Sequence, residues 1–190
     1  MHYSRLFPLL AGLLLINMVP RVQAGTIRAI NHTKWAINTF SVDGQPGYDI
    51  IGPFQGGGGG CCYSPPAIWK PGMTVRIDWE RGVAFASDIP EMPEPVFPEY
   101  TNGDKKIWAK KVSEYEVQRR EWYKKVKLLS RQLTKSVPVP DYSGEETCGI
   151  TVHFLPCDEV KVTTSCWSPR NPNYPIKEPL RMEEPQSCPT

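Results

Sequence analysis

The sequence predicts an α+β protein: an antiparallel, sandwich-like β-sheet with one long amphipathic helix, stapled by disulfides. Three observations carry this. Cys148 to Cys166 reads as a β-hairpin whose halves mirror each other about Cys157, and Met73 to Trp79 alternates apolar and polar residues. Trp108, Val112, Tyr115, Trp122, Val126, Leu129 and Leu133 recur at spacings of three and four, with Arg119 the single interruption, as on one face of a helix. With 190 residues, 40% hydrophobic and 22% charged, the chain suits one globular domain.

Residues 1–24 stand apart from that domain, which is expected to run over 25–190. Arg5 gives a positive start, Leu6 to Val19 an apolar run too short to span a bilayer, and Val22-Gln23-Ala24 the small residues of a cleavage site. An export signal cleaved after Ala24 is the expectation, and a periplasmic location follows if the source is a Gram-negative bacterium. Cys61, Cys62, Cys148, Cys157, Cys166 and Cys188 all lie beyond it, an even number that suits an oxidising space. Without Arg5 and Arg21 the remaining chain has 20 basic and 20 acidic residues, so global charge names no partner.

Thr26 to Ile30 forms a first strand, Asn31-His32-Thr33 a turn and Ala36 to Val42 a second strand closed by Asp43-Gly44. A lone histidine in such a turn reads as a surface hydrogen-bonding residue rather than a catalytic base. The run Gly56 to Gly60 is followed by Cys-Cys-Tyr-Ser-Pro-Pro, not the Lys-Ser/Thr or helix start that a phosphate cradle needs. Its bare backbone is expected to thread against the hairpin tip. Adjacent residues on an extended segment face opposite ways, so only one of Cys61 and Cys62 can meet Cys157. Cys62 with Cys157 is favoured, leaving Cys61 for Cys188 unless the neighbours bond to each other. In the next strand Met73, Val75, Ile77 and Trp79 share one face, and Trp79 and Trp69 read as core.

Ser87 to Gly103 contains Pro90, Pro93, Pro95 and Pro98, which excludes a helix or a central strand. It is an acidic exposed loop. The helix is expected over about 104–135, roughly 45 Å long, so that one end projects beyond a small sheet. That span holds 11 basic and 4 acidic residues. A solvated face explains the surplus better than a membrane contact does, and nucleic acid is a poor partner for an exported chain. In the hairpin, Phe154/Val160, Val152/Val162 and Thr151/Thr163 oppose one another, Ile150 opposes Thr164, and Cys148 meets Cys166 at the open end. His153 and Lys161 fall on the non-core face. Trp167 to Thr190 is a proline-punctuated tail laid along the surface.

No catalytic pattern emerges. His32 and His153 lack a neighbouring nucleophile, Ser64 and Ser143 sit in turns without a base in reach, and the cysteines lack zinc spacing. No metal or cofactor is expected, and the chain reads as a stapled, non-enzymatic binding scaffold. Partner contacts are expected on the acidic loop through Asp88, Glu91, Glu94 and Glu99, with Phe97 and Tyr100 as aromatic anchors.

Asn31-His32-Thr33 with Phe40 to Gly44, the Gly-Gly-Gly-Cys-Cys of Gly58 to Cys62, Trp69 to Gly72, His153 to Asp158 and Asn173-Tyr174-Pro175 resemble a family of small exported bacterial proteins first described as a domain of unknown function. Members of it resemble the immunity proteins encoded beside type VI secretion lipase effectors. That resemblance implies a soluble periplasmic immunity protein that binds and inhibits a cognate phospholipase effector. The alternative is a periplasmic protein-binding or assembly module with no toxin partner.

Overall fold

A computed structural model describes residues 24–85, 93–100 and 103–188. The protein has the α+β fold, with two four-stranded sheets and one long helix among the described residues. The first sheet has the order β4-β1-β7-β8, formed by Gly56–Tyr63, Gly25–Asn31, Thr147–Leu155 and Glu159–Ser165. The second has the order β3-β2-β5-β6, formed by Gln45–Gly47, Ala36–Val42, Thr74–Gly82 and Arg131–Pro138. All neighbours run antiparallel except β1 and β7, which pair parallel.

The sheets face each other across a shared apolar layer. Ile27, Ala29, Ile150, Val152 and Phe154 meet Phe40, Val42, Val75, Ile77 and Trp79, all buried. The Phe154 ring lies 5.8 Å from Phe40 and 5.7 Å from Trp79, edge-on to the first, as aromatic quadrupoles prefer. Outside the core, Arg81 donates to Asp158 at 2.5 Å and Lys135 pairs with Glu159 at 2.6 Å, tying the second sheet to the hairpin tip.

The hairpin register from Thr151↔Thr163 to Leu155↔Glu159 is the one its mirrored residues require. It shifts between Thr147 and Thr151, where Gly149 takes φ 90°, so the Ile150–Thr164 opposition is not kept there. A short 3-10 turn, Pro156–Asp158, makes the tip.

The helix differs from its expected range. The helix α1 spans Lys105–Leu128, not 104–135, and Arg131–Pro138 is the strand β6. Leu133 continues the helical spacing from Leu129, which hid the change of period. It also alternates with Lys135 and Val137, and opposite Trp79 it packs on the core. The free edge of β5 gains eight paired residues from this strand, a larger return than two more helical turns in solvent.

The glycine run also lies elsewhere than expected. Gly56 to Gly60 begins the edge strand β4 against β1 rather than threading past the hairpin tip.

Candidate functional site

The cysteines close three local staples. Cys148 and Cys166 are bonded across the open end of the hairpin, with Cα atoms 4.9 Å apart. Cys61 bonds to its neighbour Cys62, and Cys157 bonds to Cys188. The expected Cys62–Cys157 and Cys61–Cys188 pairs are therefore replaced, because β4 lies beside β1 at the sheet edge while the tail delivers Cys188 to the tip. Cys157, Glu184 and Cys188 lie within ligand distance of one another, yet both sulfurs are oxidised and offer no thiolate to a metal.

The two histidines among the described residues are buried, contrary to a surface reading of His32. His32 and His153 are 2% and 1% exposed beneath the C-terminal tail. His32 Nδ1 lies 2.8 Å from the carbonyl of Pro179, His32 Nε2 lies 2.9 Å from His153 Nδ1, and His153 Nε2 lies 2.6 Å from the Tyr174 hydroxyl. Proton counting fixes this chain. A carbonyl only accepts, so His32 carries its proton on Nδ1, its Nε2 accepts from His153 Nδ1–H, and Tyr174 donates to His153 Nε2. Burial, then His32, pushes His153 down to about 3; burial raises the Tyr174 phenol to about 12. Every ring nitrogen has a protein partner, so this cluster fastens the tail.

Asn31 completes the corner next to it. Its side chain donates to the carbonyls of Trp35 at 2.6 Å and Gly52 at 3.0 Å, and accepts from the Thr33 amide and hydroxyl. Asn31-His32-Thr33 is thus a buried crossing between sheets.

The sequence-predicted contact residues lie on a different feature, an arm inserted between β5 and β6. Asp88 and Glu91 lie outside the described residues. Phe97 and Tyr100 belong to the proline-rich segment 93–100, which lies against α1: Phe97 is edge-on to Trp108 at 6.5 Å and Tyr115 at 5.1 Å, and Tyr100 to Trp108 at 5.4 Å. Both rings remain 51% and 50% exposed. Glu99 lines a small recess with Ile107, Trp108 and Lys111, and Glu94 is exposed on the same segment. Asp104 starts the helix by accepting from the Lys106 amide at 2.7 Å.

None of the helix's side chains is buried. It carries nine basic and three acidic residues, with Lys125 and Lys127 in its last turn, where the helix dipole favours cations. Arg119, the interruption in the apolar stripe, stacks 5.3 Å above Tyr123 and donates to its hydroxyl, so the stripe runs on through a cation–π contact. The arm thus presents aromatic rings, a basic helix and an acidic loop on one projecting element. No described helix is long and apolar enough to cross a membrane.

Residues 30–162 match the model of a family described as a protein of unknown function, DUF3304. The chain belongs to the DUF3304 family. That match runs from the buried Asn31 corner through the arm into β8 of the hairpin, while Cys166 and Cys188, each one half of a disulfide, lie beyond it. No curated protein and no solved structure matches.

Proposed function

We propose that this DUF3304 protein is a non-enzymatic immunity protein of the periplasm, which binds and inhibits a type VI secretion phospholipase through its projecting arm. The observation that carries the reading is the arm itself. An insertion of nearly fifty residues that buries none of its helix yet packs half-exposed Phe97 and Tyr100 on the rings of Trp108 and Tyr115 has the makeup of a contact surface. Three further points support it. The disulfides suit an oxidising compartment. His32 and His153 are committed to holding the tail. The sequence motifs resemble a family whose members in turn resemble the immunity proteins of lipase effectors. Packing Phe97 and Tyr100 on the helix before binding lowers the ordering cost of the loop.

The test is co-expression of the lipase encoded by the neighbouring gene in the periplasm, with and without this protein. Cells survive only with it, and the two proteins co-purify. Phe97→Ala with Tyr100→Ala weakens the complex by about 2 kcal/mol or more, the scale of an interface anchor, and protection falls with it. Equal killing with and without the protein rejects the immunity reading and leaves a binding module without a toxin partner. Full protection by the double variant places the contact elsewhere.

A further inference from the structure

On the outer face of the β4-β1-β7-β8 sheet the tail packs over His32 and His153 through Pro179 and Tyr174. Beside Tyr174 a groove of about 490 Å³ opens, in the size range of small-molecule sites, between the β4 glycines, Arg28, Thr151 and Trp167. A second recess of about 420 Å³ is lined by Glu145 and Glu146 and shares Ser165, Cys166 and Trp167 with the first. Trp167, 50% exposed, therefore borders a cavity with a cation on one side and a cavity with two carboxylates on the other.

Among the described residues the side chains of Arg28, Glu145 and Glu146 make no ion pair or hydrogen bond. The charges are left open to a ligand. The glycines keep the cation accessible: Gly58 has φ 103°, and a Cβ there would lie 3.0 Å from the Arg28 Cα, so no other residue type leaves this wall bare.

We infer that the two recesses form one binding site for a small zwitterion, its organic ammonium against the Trp167 ring with Glu145 and Glu146, and its phosphate on Arg28. A guanidinium meets a phosphate through two parallel N–H donors, and an indole face attracts an ammonium, most strongly where carboxylates add to the field. Arg28 and Trp167 line the same groove of about 490 Å³, and Ser165, Cys166 and Trp167 carry its wall on into the recess of Glu145 and Glu146, so cation and carboxylates flank one shared wall. The same chemistry is offered by a free phosphorylated amine and by a lipid headgroup. The site lies apart from the arm and is measured on the purified protein alone, so its failure and that of the immunity reading are separate results.

Isothermal titration of the oxidised protein with phosphocholine, choline and inorganic phosphate tests it. Phosphocholine binds saturably with Kd of about 1 mM or tighter, and each half-ligand binds about tenfold more weakly. Arg28→Gln brings phosphocholine down to the level of choline while leaving choline unchanged. Glu145→Gln with Glu146→Gln brings it down to the level of phosphate. Both variants alter exposed groups, and an unchanged thermal midpoint verifies their folding. Co-sedimentation with phosphatidylcholine vesicles that Arg28→Gln abolishes assigns the ligand to a headgroup; binding of free phosphocholine without vesicle binding assigns it to a soluble amine. No saturable heat up to about 20 mM phosphocholine, or equal binding by wild type and Arg28→Gln, overturns the proposal.

Discussion

The hydrogen-bond chain from Pro179 through His32 and His153 to Tyr174 is buried, and burial of His153 within it makes the fold sensitive to acid. Protonating His153 would turn the Tyr174 hydroxyl from donor to acceptor and, at greater cost, place a charge where burial disfavours it. Lys161, also facing it, adds to the penalty, while Glu178, which pairs with Lys161, offsets part. The sign follows from linkage: His153 titrates at about 3 when folded and near 6.5 when unfolded, so between these values the unfolded chain binds more protons and stability falls as pH falls. Denaturant titrations are expected to lose about 2 kcal/mol between pH 7 and pH 5. His153→Gln, which keeps an acceptor for Tyr174, removes that slope at some cost in stability; an unaltered slope assigns the acid sensitivity to other groups. None of this was legible in the sequence, because the period-2 pattern places His153 on the non-core face correctly but does not show that the tail covers that face. The nearest signal was Tyr174 itself, a large aromatic in a proline-punctuated tail that is 2% exposed in the fold.

At the scale of elements, readings confined to one strand or one hairpin match the structure, and those that depend on which elements meet do not. The Ala36–Val42 strand and the hairpin register follow from local alternation and mirror symmetry. The β6 strand was hidden because Leu129 and Leu133 keep a helical interval, and only the free edge of β5 decides for a strand. The cysteine partners depended likewise on the tail reaching the tip. Peptide mapping without reduction is expected to recover Cys148 linked to Cys166, Cys157 linked to Cys188, and Cys61 linked to Cys62 within one peptide; a Cys62–Cys157 peptide would refute this arrangement. The hairpin staple closes a chain separation of 18 residues, which by loop entropy corresponds to about 3 kcal/mol. Replacing Cys148 and Cys166 together by serine lowers the unfolding free energy by about that amount, read from denaturant titration, with a steeper denaturant dependence because the unfolded chain is released.

For the whole molecule, the sandwich and the arm divide the work. The last residues of β5 and the first of β6 are direct neighbours, Arg81 opposite Arg131, so the chain leaves the second sheet and returns to it within one strand spacing. The arm between them adds no buried helix residue to the core, which is built from strands of the two sheets. An insertion whose ends sit at hairpin distance can be replaced by a turn. A variant in which an Asn-Gly turn joins Gly82 to Arg131 is expected to fold, with the same three disulfides and a thermal midpoint within about 5 °C of the parent. The deletion removes the acidic loop together with the basic helix, nine basic and eight acidic residues, so the net charge and the ion-exchange behaviour stay close to the parent's. Loss of the cooperative transition would mean that the segment contributes to the fold and is more than a contact surface. If the variant folds, co-expression with the lipase separates scaffold from interface directly: it accumulates to parental levels in the periplasm yet neither protects cells nor retains the enzyme, whereas protection by the armless chain would move the inhibitory surface onto the sandwich.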